Sequence, residues 1–155
     1  MTGPASTGEP DGAAMRARVA ASFGKQGLML TLGAALGEVA PGAVEISLSP
    51  APGVTQQHGF VHAGAVAAIA DTAAGYAALT LMPPGRGVLT AEFKINLVAP
   101  AVGDVIVARG RVVKAGRTLT LARAEVFALT NGAERLVAML TATLMAIEGR
   151  DGVTD

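Results

Sequence analysis

Val44, Ile46 and Leu48 alternate with Glu45, Ser47 and Ser49, the two-residue period of a strand with one buried face. Pro50 and Pro52 end that pattern, because proline has no N–H to give to a ladder. A strand is therefore expected over about residues 34–49, bent or interrupted at the Pro41-Gly42 pair. Upstream, Met15, Val19 and Phe23 recur at helical spacing with Arg16 and Arg18 off the stripe. That predicts a short amphipathic helix over residues 13–23, covering one side of the core. The run from 63 to 82 has a different character: its one charged residue is Asp71, and Pro83-Pro84-Gly85 ends it. A helix apolar on every side must be enclosed by protein. Its many Ala and Gly residues, among them Ala73, Ala74 and Gly75, leave a thin cylinder that a sheet can approach closely.

Four more strands are expected, at about 88–98, 104–113, 118–129 and 134–147. Pro-Ala-Val-Gly at 100–103, Lys-Ala-Gly-Arg at 114–117 and Asn131-Gly132 supply the turns between them, the last a strong type I′ hairpin signal. Short links imply antiparallel neighbours, so the four strands read as a meander. Leu89, Ala91, Phe93, Ile95 and Leu97 fall on one face of the first of them, and Thr90, Glu92, Lys94 and Asn96 on the other. A covering helix, a strand, a long apolar helix and a meander make an α+β fold, most simply a curved antiparallel sheet wrapped around the central helix. An open sheet of about five strands has bare edges, and pairing them across a two-fold axis would protect them. A homodimer follows as an expectation, with a tetramer of two dimers left open.

Composition narrows the field. In 155 residues, 51% of them hydrophobic, the chain can bury a core as one domain, expected over 13–148. Residues 1–12 and 149–155 lack apolar periodicity and read as loose tails. Twelve basic and twelve acidic residues cancel and form no blocks, which argues against nucleic-acid or membrane-surface partners. The absence of cysteine excludes disulfides, thiolate catalysis and cysteine-ligated zinc, and fits a reducing compartment. Lys25 and Gln26 interrupt the apolar stretch that follows Arg16 and Arg18, so no secretory leader is read there and the chain is taken as cytoplasmic. The 63–82 run is long enough to cross a bilayer, but Ala, Gly, Thr and an Asp suit a buried soluble helix better.

Two features point to chemistry. A carboxylate in an apolar helix is costly to bury and is found where it is hydrogen-bonded, neutralised or used. Asp71 either faces a solvated gap at the sheet edge or is a base or nucleophile with a tuned pKa. The second feature is the loop from Gln56 to Gly64, which gathers both histidines, two amides and two glycines just before the helix. A helix start offers free N–H groups and the positive end of a dipole, which suits a developing oxyanion. Asp71 follows His62 by nine residues, about 2.5 turns, so it cannot reach its own helix start and a partner chain would have to complete a compact site.

His62-Ala63-Gly64, then Ala70-Asp71-Thr72-Ala73, then Thr90 in a strand ending at Asn96-Leu97-Val98-Ala99-Pro100-Ala101, resemble the PaaI-like hotdog acyl-CoA thioesterases. The likeness runs from about residue 30 to 147 and includes Gly116-Arg117-Thr118. It implies hydrolysis of an aryl-acetyl or short- to medium-chain acyl-CoA without a cofactor, Asp71 acting as general base or nucleophile. It implies also that the Ala63 N–H, where the family usually has glycine, donates to the thioester oxygen. Gln56 stands where the family has an Asn or Gln that orients water or substrate, and Thr90 matches a Ser or Thr beside the carboxylate. In such relatives Asp71 and Thr90 come from one subunit, Gln56 and Ala63 from the other.

His62 reads mainly as a residue that orders the turn; with Gly64 and Arg117 it completes the set expected near the substrate. Arg109 and Arg111 are further candidates for the CoA phosphates, although arginines on strands commonly serve solubility. His58 and His62 stand four apart with no third ligand nearby, so no metal is expected. No dinucleotide, P-loop or serine-hydrolase motif is present. A non-catalytic acyl-CoA sensor is the alternative, disfavoured because a pure binder has no need of a charge near an acyl chain.

Overall fold

The computed structural model describes residues 12–155. The expected loose segment at 1–12 therefore lies, Gly12 apart, outside the described residues. Helix α1 (Gly12–Phe23) buries Met15 and Val19, as the helical spacing predicts. A short α2 (Gly27–Leu32), not expected from the pattern, follows and buries Met29. The first strand region is two strands rather than one bent one: β1 (Ala34–Ala40) and β2 (Ala43–Leu48) form an antiparallel hairpin that reverses at Pro41-Gly42. The Thr80 hydroxyl accepts the Gly42 N–H at 2.8 Å, tying this turn to the far end of the central helix.

That helix, α3 (Ala63–Leu79), is followed by β3 (Gly87–Leu97), β4 (Val105–Lys114), β5 (Leu119–Thr130) and β6 (Ala133–Ile147). Asn131 and Gly132 both have positive φ, 49° and 79°, as the type I′ turn between β5 and β6 demands. All six strands join one antiparallel sheet in the order β1-β2-β4-β5-β6-β3. No helix among the described residues is long and apolar enough to cross a membrane.

The order corrects the expected meander, because β3 pairs with β6 and not with β4. A short link proved a poor guide to adjacency. The stretch 98–104 needs to cover three strand spacings, roughly 14 Å, well within the reach of seven extended residues at about 3.3 Å each. It is bonded along the way: the Val137 carbonyl accepts from Val98 and Ala99, and the Leu129 carbonyl accepts from Asp104. The β4-β5-β6 portion does form the expected meander.

The sheet curls around α3 because both surfaces are small. Its inner face carries Ala108, Gly110, Ala122, Ala124, Ala138 and Ala142, all buried, against Ala70, Ala73, Ala74 and Ala77 of the helix. At the closest approach, a Cβ built on Gly110 would lie 2.2 Å from the Ala73 carbonyl oxygen and 2.6 Å from the Ala74 nitrogen. Backbone atoms cannot swing aside as a flexible side chain can, so the two elements must part to admit a methyl. Gly110→Ala is expected to destabilise the fold by about 3 kcal/mol, read as a lowered urea midpoint; an unchanged midpoint would contradict this helix-to-sheet contact.

Candidate active site

Asp71 lies mid-helix, half-buried, on the side of α3 that faces β3. Strict alternation would turn Thr90 to the outer face, with Glu92 and Lys94. The register instead shifts between Thr90 and Glu92, leaving Ala91 as an extra residue. Thr90 pairs with buried Leu144, while beyond the bulge Phe93, Ile95 and Leu97 pair with Ala142, Leu140 and Ala138. Val88, Thr90, Phe93, Ile95 and Leu97 thus share the inner face, and Leu89 moves to the outer one. This corrects the face assignment made from the sequence, since a bulge re-aims the side chains that precede it. The Thr90 hydroxyl now donates to Asp71 Oδ1 at 2.8 Å.

Burial pushes the Asp71 carboxyl above its ordinary value, and the Thr90 hydrogen bond, the smaller effect, pulls it back. The pair lines a cleft of about 510 Å³. Ser22 and Gln26 from the α1 end, Gly75, Tyr76 and Leu79 from α3, and residues 152–155 complete it. None of these is expected from the sequence to line a site; Gly75 reads only as one of the small residues that thin the helix. Gly75, four residues past Asp71 in a helix, was the one visible signal, whereas Ser22 and Gln26 arrive from a distant segment.

The last residues, for which the sequence suggests a loose tail, lie against the domain. Arg18 Nε donates to the Asp155 carboxylate, which also accepts the Gly85 N–H at 3.1 Å. Arg18 reaches the Met82 and Pro83 carbonyls as well, at 2.7 and 3.0 Å, gathering the exit of α3 and the chain's final turn around one guanidinium.

Gln56, His62 and Ala63 line a second cleft of about 480 Å³ with Phe60, Val66, Leu97 and Val98. The loop is a tight turn: the Gln56 N–H donates to the Phe60 carbonyl, and the Gly59 N–H, at φ +82°, to the Gln56 carbonyl. Gln56 Oε1 accepts from the His58 N–H, so this side chain is partly engaged within its own loop. His62 is the N-cap of α3, its Nδ1 accepting the Gly64 N–H at 2.8 Å. A Cβ at Gly64 would come within 3.0 Å of that nitrogen, so glycine there keeps the cap close.

A helix start leaves four N–H groups without helical partners. Here the His62 N–H donates to the Val54 carbonyl, Gly64 to the His62 ring and Ala65 to the His62 carbonyl, which also takes the first helical bond, from Val66. The Ala63 N–H finds no acceptor among the described residues. Asn131 is the one non-glycine residue among them with positive φ, so the methyl of Ala63 brings no backbone strain.

Within one chain the expected site residues are therefore split. Asp71 and Thr90 occupy one cleft, Gln56, His62 and Ala63 the other, and along α3 the step from Ala63 to Asp71 is roughly 12 Å at 1.5 Å per residue. Arg117 is exposed in the β4-β5 turn and lines neither cleft. Arg109 is taken up elsewhere: it pairs with Glu45 at 3.0 Å and Glu134 at 2.5 Å and lies over the Phe127 ring. No three metal-ligating side chains stand together among the described residues.

A six-stranded antiparallel sheet wrapped around one apolar helix, with a carboxylate at mid-helix, defines the hotdog class of thioesterase folds. The chain belongs to the thioesterase superfamily, whose family model matches residues 58–134. It is 47% identical to a thioesterase family protein from Silicibacter pomeroyi, covering 87% of this chain and 99% of that one with a TM-score of 0.85. A thioesterase from Haemophilus influenzae (18% identity, 84% and 90% coverage, TM-score 0.75) has the same fold. So does the Escherichia coli PaaI protein from the phenylacetic acid degradation operon (19% identity, 90% and 95% coverage, TM-score 0.75). At those identities the likeness is one of fold alone. No curated protein matches the chain.

The raised pKa has a thermodynamic consequence. A carboxyl whose pKa is higher folded than unfolded contributes stability in full below the unfolded value and loses it as pH rises through the folded value. Asparagine does not titrate, so Asp71→Asn should gain stability relative to the parent between about pH 3 and pH 7. Urea melts across that range measure the gap, and a constant gap would mean that the carboxyl is not desolvated.

Proposed function

We propose that the protein is an acyl-CoA thioesterase that works as a homodimer, with each active site built from Asp71 and Thr90 of one subunit and Gln56 and the Ala63 N–H of the other. The observation that carries this reading is the position of the two half-sites along β3. This strand is a sheet edge eleven residues long, with its outer side unpaired among the described residues. Val88 and Thr90 at its start line the Asp71 cleft, and Leu97 at its end lines the Ala63 cleft. Two such strands pairing antiparallel about their middles would set the start of one beside the end of the other, joining unlike half-sites twice. Phe93 and Leu97, apolar and about half exposed at 46% and 52%, would be covered by the same contact.

In that arrangement the thioester carbonyl oxygen accepts from the partner's Ala63 N–H, at the positive end of α3, as charge develops on it. Asp71, oriented by Thr90, takes a proton from water as the water oxygen attacks the carbonyl carbon. The C–S bond then breaks, the acid is released, and the sulfur leaves as the thiol of CoA after protonation. Direct attack by Asp71 on the carbonyl carbon would use the same geometry with an anhydride intermediate. Neither route needs a cofactor. The near-neutral surface and the absence of charge blocks give no footing for nucleic acid, and the reaction suits a cytoplasmic enzyme.

The oxyanion donor can be removed with little damage. Proline is favoured at the first position of a helix, and His62 (φ −61°, ψ 140°) already has the extended backbone that a residue before proline requires. Ala63→Pro is expected to lower kcat by about 100-fold with an unchanged melting temperature. Asp71→Ala should abolish thiol release from acyl-CoA while leaving the dimer intact. Mixing the two variants under subunit exchange should restore activity, because each mixed dimer regains one site with both Asp71 and the Ala63 N–H. Unchanged release by Asp71→Ala would remove the catalytic assignment, and failure of mixing to restore activity would remove the shared site.

A further inference from the structure

Gly75 is out of place by helix energetics. In the interior of α3 glycine costs about 1 kcal/mol relative to alanine, and every neighbour around it is a better helix former or larger. Close packing does not explain it: a Cβ built on Gly75 meets no atom within 4 Å, whereas one built on Gly110 collides with backbone. The space it leaves open belongs to the Asp71 cleft. Asp71, Gly75 and Leu79 stand four apart along one face of α3 and all line that cleft. A side chain at 75 would therefore fill the stretch between the carboxylate and Leu79, which spans roughly 12 Å at 1.5 Å per residue.

The far wall is built. The Tyr76 hydroxyl donates to Ser22 Oγ at 3.2 Å and accepts from Gln26 Nε2 at 2.8 Å, and the ring packs against Phe23 at 6.2 Å between centroids. These polar groups satisfy one another, so the wall stands without a ligand. Residues 152–155 close another side: a Cβ on Gly87 would come within 2.8 Å of Val153 Cγ1, so strand and tail lie flush. The cavity is thus a half-open passage running from Asp71 past Gly75, with a volume of about 510 Å³, in the range of small-molecule pockets.

We propose that Gly75 is the length-determining residue of the acyl pocket, and that the passage beside it takes a medium-length acyl chain whose carbonyl end stays at Asp71. This rests on the thioesterase reading and adds to it the class of acyl group and the residue that admits it. Chains too short to pass position 75 gain nothing from the passage, and longer ones bury their methylenes there.

Rates of thiol release from acetyl-, hexanoyl- and dodecanoyl-CoA, compared for the parent, Gly75→Ala and Gly75→Leu, test it. The parent should favour hexanoyl- over acetyl-CoA. Gly75→Leu should cut the hexanoyl-to-acetyl ratio of kcat/KM by at least about tenfold, the size of effect that steric discrimination in an apolar pocket supplies. Gly75→Ala should shift the ratio the same way by less and raise the melting temperature, since it removes the glycine cost without a clash. General damage would lower all three substrates together and leave the ratio unmoved. A ratio that does not change in either folded variant overturns the assignment of Gly75. A parent that releases thiol from none of the substrates sinks the thioesterase reading instead.

Discussion

The fold turns on one contact, the approach of the α3 backbone at Ala73 and Ala74 to the glycine at the centre of β4. With any side chain at 110 the helix would stand off, and the alanines on both surfaces would face a gap rather than each other. Small residues on two facing elements exchange side-chain volume for proximity, and tight packing makes that exchange stable. The sheet must then curve around the helix, and the strands farthest from the contact, β1 and β3, become the edges. Helices α1 and α2 pack against β1 at one edge; at the other, no strand among the described residues pairs with the outer side of β3.

The burial that stabilises α3 makes Asp71 exceptional. A carboxylate surrounded by apolar helix loses hydration, and that loss raises its pKa. Thr90 moderates it through one hydrogen bond, and that bond exists because a bulge at Ala91 turns Thr90 inward. At the other end of the helix, the Val54 carbonyl and the His62 ring and carbonyl absorb three of the first four N–H groups and leave Ala63 with the remaining one. An electron-poor helix start and an electron-rich carboxylate are thereby held on a single rigid rod, too far apart to act on one carbonyl. Rigidity makes the separation permanent within a chain, so any joint action has to come from a second copy.

The chain determined its own elements well. Alternation at Val44–Leu48, the uninterrupted apolar run of α3, and the turn residues between β4, β5 and β6, Asn131-Gly132 above all, are local signals, because a strand's period and a turn's φ angles are set within a few residues. Asp71 was conspicuous for an equally local reason: it is one charge in a long apolar helix, and the His-Ala-Gly start of that helix was visible as a cluster. What the tertiary structure alone decided was pairing and reach. The link from β3 to β4 is long enough to cross two strands, so its length could not say where β3 lies. The bulge at Ala91 depends on how β3 docks on β6, and it reverses which face Thr90 shares. Ser22, Gln26, Tyr76 and residues 152–155 meet around Gly75 from three distant parts of the chain. Sequence periodicity describes one element at a time, whereas a cavity is the shape left between several.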